Sequence, residues 1–203
     1  MDLLRHQKFS IRQKRELAEL VGFETRNKYE IATDQGEVIG YAAEQGRGFL
    51  GLVVRQFLGH WRSFEIRFFN AQREPLFTAA HPFRWIFQRM NIYNAEGEYV
   101  AGLQQRFSIL SKKFDVEDAR GKVVLQVSSP FWKIWTFSFK DHSGKEGALI
   151  RKKWSGLLKE AFTDTDNFTL SIENPNLGAP ERQALLAAAI FVDLQYFEKK
   201  ANS

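Results

Sequence analysis

The sequence contains no cysteine, few histidines and no long hydrophobic run. Without cysteine the chain cannot form a disulfide, a thiolate nucleophile, a cysteine-ligated metal site or an S-acylated anchor, which excludes a disulfide-stapled extracellular fold. The histidines are far apart and lack metal-binding spacing, and no serine, histidine and acid follow a hydrolase motif. These absences argue against a conventional catalytic activity.

The chain also lacks a segment long enough to cross a bilayer as a helix. Its longest apolar run, Ala184 to Val192, has nine residues, whereas a spanning helix needs about 20. Asp193 follows directly and would lie in hydrocarbon. The N-terminal segment has no apolar stretch typical of a signal peptide. We therefore expect an intracellular, cytoplasmic protein that associates with membranes peripherally.

Phenylalanine is the abundant residue, with 19 in 203, and the net charge is +5. Aromatic side chains suit half-buried pleated surfaces, so this composition favours a β-rich fold. An apolar content of 44% is enough for the core of one domain. The positive charge permits binding to anionic lipid or to nucleic acid without indicating which.

A hairpin repeat is the strongest internal pattern. Two apolar residues two positions apart are followed by a turn-forming residue and then by glycine, which is typical of strands joined by a type I turn. Successive copies lie 24 and 23 residues apart, too close for parallel strands joined by helices, and predict an antiparallel barrel. The repeat starts at Tyr29, Met90, Phe114 and Phe137, an imperfect copy without glycine starts at Phe64, and "NFTLSI" from Asn167 predicts one later strand.

Two helices are predicted on either side of these strands. "RQKRELAELVG" from Arg12 is a short amphipathic helix that ends at Gly22. "PERQALLAAAIFVDLQYFE" from Pro180 is apolar on nearly every side, and a closed sheet of many short strands offers a place to bury it. We predict one domain over 1–203, with an N-terminal arm and helix over 1–25, barrel strands over 26–178 and a central helix over 180–198.

Four blocks of sequence resemble the phospholipid scramblase family. They are "GFETRNKYEI" from Gly22, "RSFEIRFFN" from Arg62, "KKWSGLLKEAFTDTDNF" from Lys152 and "FVDLQYFE" from Phe191, in the same order and at similar spacing. The resemblance implies a Tubby C-terminal-like fold, a twelve-stranded antiparallel barrel around a buried C-terminal helix. It also implies calcium-stimulated, bidirectional and headgroup-unselective movement of phospholipids between leaflets without ATP.

The sequence departs from the pattern of eukaryotic family members in three places. It lacks their proline-rich N-terminal extension. It also lacks their palmitoylated cysteine cluster, where this chain reads "HPFRWIFQRM" from His81 to Met90. In the proposed calcium segment Asp164, Asp166 and Phe168 match, but Thr169 replaces a glycine and Pro175 replaces a closing acid.

Asp164 and Asp166 are the candidate metal ligands, and they have two interpretations. Two carboxylates two positions apart could bind Ca²⁺ weakly, but an EF-hand loop needs a glycine for its bend and a closing carboxylate, and both are missing. Alternatively, these side chains form Asx and hydroxyl turns that lead into the strand "FTLSI". We favour the turn, and expect no certain cofactor.

Aromatic residues alternate with basic ones in two segments, "FRWIFQR" and "FWKIW". Tryptophan favours the headgroup layer of a bilayer and a basic residue near the surface contributes about 1 kcal/mol with anionic lipid. Period-two spacing also fits two barrel strands, and we favour the strands. The candidate lipid contacts are Phe83, Arg84, Trp85, Trp132, Lys133 and Trp135.

The basic run Arg151, Lys152 and Lys153 is a third candidate contact with lipid. A solvated strand edge protected by lysine explains the same residues without any partner, and we favour that interpretation.

The sequence leads to two functional hypotheses. The first is a scramblase-family protein that binds anionic phospholipid surfaces and translocates phospholipids between leaflets. The second is a soluble regulatory domain that binds lipid, phosphoinositide or nucleic acid without transport, and whose affinity falls with salt.

Overall fold

The computed structural model describes residues 1–14, 27–45, 63–109, 111–130, 135–153 and 167–196, without the side chains of residues 153, 167, 195 and 196. Within this part of the chain, twelve strands form one closed antiparallel barrel in which each strand pairs with its neighbours in sequence, and β12 pairs with β1. The predicted fold class is confirmed. The elements are β1 Lys8–Gln13, β2 Lys28–Thr33, β3 Val38–Glu44, β4 Phe64–Asn70, β5 Pro75–His81, β6 Arg89–Asn94, β7 Tyr99–Arg106, β8 Ser111–Asp118, β9 Val123–Pro130, β10 Thr136–Lys140, β11 Glu146–Lys153, β12 Asn167–Ile172 and α1 Ala179–Tyr196.

All five predicted hairpins form, with turns at 33–36, 70–73, 94–97, 118–121 and 141–144. In four of them a glycine with positive φ donates its N–H to the carbonyl of the first turn residue, as Gly97 does to Asn94 at 3.1 Å. The Asn94 side chain then accepts the N–H of Glu98 at 2.8 Å. In the imperfect copy Arg73 occupies the glycine position with φ 67°. The turn chemistry read from sequence therefore sets the hairpins.

These turns all lie at one end of the barrel, because every even-numbered strand is joined to the next one there. We call this end the turn pole. The opposite end, where β5 continues through 82–88 into β6 and β7 continues through 107–109 towards β8, is the loop pole.

The barrel begins earlier than predicted. β1 lies inside the segment assigned to an N-terminal arm and helix, with Phe9 and Ile11 buried in the core. It pairs with β2 on one side and β12 on the other, which closes the barrel. The rest of the predicted N-terminal helix lies outside the described residues.

Helix α1 is the centre of the core, as predicted. Every residue from Ala184 to Val192 is buried. Phe191 contacts rings from two separate strands, with its centroid 6.5 Å from Phe64 in β4 and 5.8 Å from Phe114 in β8. Full burial of each large apolar side chain contributes about 1.5–3 kcal/mol, so leaving the barrel for water would be very unfavourable for the helix.

The start of α1 is held at the turn pole by Arg182. Its guanidinium is buried and donates to the carbonyl oxygens of Leu3 and His6 at 2.8 Å, of Leu177 at 2.8 Å and of Pro175 at 3.1 Å. Burial lowers the pKa of Arg182 from its ordinary value. This one side chain ties the N-terminal segment to the entrance of the helix.

Candidate functional site

The first candidate segment, which contains Phe83, Arg84 and Trp85, is a loop and not a strand. β5 ends at His81, and Pro82 follows it with no N–H to donate to a ladder. The ring centroids of Phe83 and Trp85 lie 5.3 Å apart in an edge-to-face arrangement, and Trp85 is 63% exposed. The strand interpretation that we favoured is therefore wrong, since the period-two spacing falls in an exposed connection.

A second apolar loop, which sequence reasoning missed, lies beside the first. It contains Phe107 and Ile109, which are 72% and 76% exposed. Gln88 and Gln105 join the bases of the two loops: the Gln88 N–H donates to the Gln105 side chain at 2.9 Å, and the Gln105 N–H donates to the Gln88 carbonyl at 2.8 Å. The alternating pattern runs through "RFSIL" without a break, so the sequence offered no signal for the end of β7.

Trp135 precedes β10 at the same pole and is partly exposed. The other two candidates in its segment, Trp132 and Lys133, lie outside the described residues. The exposed large apolar side chains of the described residues are thus concentrated at one end of the barrel. Seven lie at the loop pole and one, Leu4, at the turn pole; the seven are Phe83, Trp85, Ile86, Phe87, Phe107, Ile109 and Trp135.

The basic run in β11 does not form a strand edge. β11 pairs with β10 and β12 in a closed barrel, so the edge interpretation is wrong. Arg151 points outward and is exposed. Lys152 points inward, and its ammonium group lies 3.7 Å from the Asp193 carboxylate, 5.3 Å from the Phe168 ring and 6.0 Å from the Trp135 ring. Lys153 belongs to β11, and its side chain is outside the description.

Charge is distributed unequally between the two poles. The five turns, each counted with the residue that follows it, contain seven acidic and four basic residues. In the loops 82–88 and 107–109 the one charged residue is Arg84. Near the loop-pole ends of β8 and β11, Lys113 and Arg151 are exposed cations, and Arg106 at the end of β7 is paired with Asp115 and Glu117. Among the described residues, the loop-pole connections are therefore apolar, whereas the turn pole is polar and mainly acidic.

The inside of the barrel is also polar at the loop pole. Asn27 donates to Glu44 at 2.7 Å, and Tyr29 donates its hydroxyl to Asp193 at 2.9 Å, close to the end of α1. Buried polar side chains lie at or next to the loop-pole ends of several strands and of this helix, and we refer to six of them as the polar ring. The polar ring consists of Asn27, Glu44, Gln88, Lys112, Lys152 and Asp193.

Lys112 in β8 is an inward-facing cation of this ring. It occupies the same strand face as Phe114 and Val116, and its ammonium group lies 5.5 Å from the centre of the Phe137 ring. Burial lowers the pKa of Lys112 because desolvation disfavours the charged form. The neighbouring Lys113 points outward and is exposed.

Metal binding by Asp164 and Asp166 stays a prediction, because both residues lie outside the described part of the chain. Within that part, no group of three histidine, aspartate or glutamate residues is arranged to hold a metal ion. No helix of the described residues combines the length and apolar character needed to cross a membrane.

Comparisons with known sequences agree on one family. The family model described as Scramblase matches residues 1–199. The chain is 31% identical to bovine phospholipid scramblase 2 over 93% of this chain and 67% of that protein. It is 29% identical to human phospholipid scramblase 1 over 95% of this chain and 63% of that protein, so it spans less than two thirds of the latter. A crystal structure of an Arabidopsis thaliana protein aligns with a TM-score of 0.49 and 12% identity, over 97% of this chain and 92% of that one.

Proposed function

The chain belongs to the scramblase family, and from that premise we propose that it docks peripherally on anionic phospholipid bilayers and moves phospholipids between leaflets without ATP. The observation that carries this proposal is the concentration of exposed aromatic and aliphatic side chains at the loop pole. Large exposed apolar surfaces mark interaction sites, and these side chains are exposed at one end of the barrel.

The residue types at the loop pole match the chemistry of a bilayer surface. Tryptophan and phenylalanine favour the headgroup layer, where an apolar ring is buried while its surroundings stay wet. Arg84 and Arg151 point outward beside these rings and would meet anionic lipid phosphates. The acidic turn pole would then face away from the membrane, so charge and apolar surface favour one orientation.

Sedimentation with phosphatidylserine-containing vesicles tests docking. We expect the wild type to bind these vesicles and Trp85→Glu/Ile86→Glu to lose at least tenfold in affinity, because two charges replace apolar groups that enter the interface. Leu4→Glu is the matched control, since Leu4 is an exposed apolar side chain at the turn pole and its loss should leave binding unchanged. Equal binding by wild type and the double variant would refute loop-pole docking.

Translocation is tested separately with vesicles that carry a fluorescent lipid. In the presence of the protein, a membrane-impermeant quencher should bleach the label in both leaflets, whereas without protein it bleaches the outer leaflet only. Bound protein that leaves the inner leaflet protected would remove transport from the proposal and keep docking.

Calcium dependence is measured in the same assays. We expect little response to Ca²⁺, because Asp164 and Asp166 lack the glycine and closing acid of a strong site. A Ca²⁺ response that disappears in Asp164→Ala/Asp166→Ala, with the variant folded, would contradict the turn interpretation.

The alternative function is a soluble domain that binds phosphoinositide or nucleic acid. The outward cations of the loop pole would serve either function. A soluble anion does not require exposed tryptophan and isoleucine, and so the loops favour the bilayer. Binding of a soluble phosphoinositide headgroup or oligonucleotide that exceeds vesicle binding and falls steeply with salt would reverse this preference.

A further inference from the structure

Two buried carboxylates lie on the outer face of the barrel wall. Asp115 and Glu117 occupy alternate positions of β8, and the positions beside them, Phe114 and Val116, point into the core. Although they face outward, the two acidic side chains are only 7% and 8% exposed, and Arg106 from β7 donates to both of them. An outward carboxylate is normally left in water, so the burial of these two requires an explanation.

Glu117 joins two arginines that stand at the bases of the apolar loops. Arg89 is the residue after the loop 82–88, and Arg106 is the residue before the loop 107–109. One carboxylate oxygen of Glu117 accepts from Arg89 Nη1 at 2.9 Å, and the other accepts from Arg106 Nη2 at 2.9 Å. A single side chain of β8 therefore connects the residues that border both loops.

Gly102 provides the space that Arg89 needs to reach β8. Because β7 lies between β6 and β8, the Arg89 side chain must cross it. On the way its guanidinium donates to the Tyr99 hydroxyl at 3.0 Å and to Gln104 at 3.1 Å. A Cβ atom at position 102 would lie 2.6 Å from the Tyr99 hydroxyl and 3.0 Å from Arg89 Nη2. The crossing thus depends on a position without a side chain.

Elsewhere on the outer wall, the ion pairs of the described residues are longer or more exposed. Glu30 lies 4.0 Å from Arg12 and 3.8 Å from Lys14. Arg67 pairs with Glu65 of its own strand, and both side chains are exposed by more than a third. Exposed pairs contribute little, whereas a buried network with its hydrogen bonds satisfied fixes one arrangement of its members. Such a network is found here on the strands that carry the two apolar loops.

We propose that Glu117 is a positioning residue for membrane docking, which holds Arg89 and Arg106 so that the loops 82–88 and 107–109 form one preorganised surface. The inference rests on the proposed function, and it concerns a residue that is itself buried and does not meet the bilayer. A preorganised surface loses less loop and side-chain freedom on binding than two independent loops would lose.

Sedimentation of Glu117→Gln with phosphatidylserine-containing vesicles tests the proposal, because charge and positioning predict opposite changes. Removing a negative charge should strengthen binding to anionic lipid if charge alone matters. Loss of positioning should weaken binding by about fivefold, the cost of ordering one or two further side chains. Glu30→Gln is the matched control, since Glu30 also lies between two cations on the outer wall, and it should bind at least as tightly as the wild type. Equal binding by the two variants would overturn the proposal.

Gly102→Ala breaks the same connection without changing the charge. Its methyl group displaces Arg89 or Tyr99 from the crossing, so we expect a similar loss of affinity. Circular dichroism first shows that each variant is folded, and an affinity measured on folded protein does not report a loss of stability. If Glu117→Gln does not fold, Gly102→Ala takes its place, and wild-type binding by it would then overturn the proposal.

Amide hydrogen exchange without vesicles separates this inference from the proposed function. The N–H groups of Gln88 and Gln105 at the loop bases should exchange about fivefold faster in Glu117→Gln, and that of Gly97 at the turn pole should not change. Unchanged exchange at the loop bases would overturn the positioning role and leave docking in place. Faster exchange there, in a protein whose wild type does not sediment with vesicles, would keep the connection between the loops and remove docking.

Discussion

The two poles of the barrel are built from the same strands but from different connections. At the turn pole the chain reverses in four-residue turns whose Asx side chains and glycines satisfy the backbone locally. At the loop pole the connection 82–88 is longer, and both it and 107–109 present apolar side chains to solvent. Short turns give stable hairpins and present little apolar surface, which is why the docking surface that we propose lies at the other pole.

The two ends of α1 differ in the same way. At the turn pole Arg182 is surrounded by backbone carbonyl oxygens, an arrangement that ties chain segments together. At the loop pole Asp193 meets the side chains of Tyr29 and Lys152. The start of the helix is thus held by backbone oxygens and its end by side chains.

The largest expected effect is a loss of stability when Arg182, at the turn-pole end of α1, is replaced. Arg182→Met should lower the free energy of unfolding by about 3–5 kcal/mol, because it leaves buried carbonyl oxygens without a donor. Urea denaturation measures the change. Arg5→Met, at an exposed arginine whose partner is Asp2, should change stability by less than about 0.5 kcal/mol. A loss below about 1 kcal/mol for Arg182→Met would show that the helix entrance does not depend on this side chain.

The second prediction tests docking of the loop pole with substitutions in the loop 107–109 and none in the loop 82–88. Phe107→Glu/Ile109→Glu should weaken vesicle binding by about 2 kcal/mol, roughly thirtyfold, because two apolar groups no longer enter the interface. Gln35→Glu/Ala95→Glu adds the same charge at the turn pole and should have little effect. If both double variants weaken binding equally, net charge and not the apolar loop decides docking.

The third effect concerns the buried cation in β8. Lys112→Met should remove a pH dependence of stability, because desolvation disfavours the charged form of this buried ammonium group and lowers its pKa. The folded-state pKa lies below the unfolded value, so the unfolded chain binds more protons between the two values and wild-type stability rises with pH there. The stability of the wild type relative to the variant should therefore rise as pH rises towards about 10.4. Denaturation curves at neutral and alkaline pH check this, and a pH-independent difference would contradict it.

The smallest effect is at the imperfect turn. Arg73→Gly should stabilise the protein by about 0.5–1 kcal/mol, because a side chain at φ 67° is strained and glycine is not. The reverse substitution, Gly97→Arg, should destabilise by a similar amount, since that turn has the same geometry with φ 84°. Thermal denaturation of the two variants measures both, and equal stability would mean that the turn tolerates either residue.

Structural features set by residues close together in sequence could be predicted from the sequence, whereas features set by contacts between distant segments could not. Asp118 and Gly121 form a turn through bonds within four residues, so the hairpin is visible in the sequence. β1 was missed because two alternating apolar residues are a weak pattern and its partners, β2 and β12, are assigned only when the barrel closes.

The candidate site was predicted only in part, because contacts between distant segments of the chain also place its residues. Phe83 and Trp85 were recognised as possible lipid contacts, but period two fits an exposed loop as well as a strand, and Pro82 was the one local signal against the strand. Phe107 and Ile109 had no such signal. Lys152 was recognised as basic, yet its side chain faces Asp193 because the β10–β11–β12 register turns it inward.

The sequence by itself determined the hairpins, the buried helix and the family, since turn chemistry, apolar periodicity and sequence blocks are local properties of the chain. Only the tertiary structure decided which connections meet at each pole and which lysines face the interior. Alternation along a strand defines two faces, and closure of the barrel around α1 decides which of them is inside.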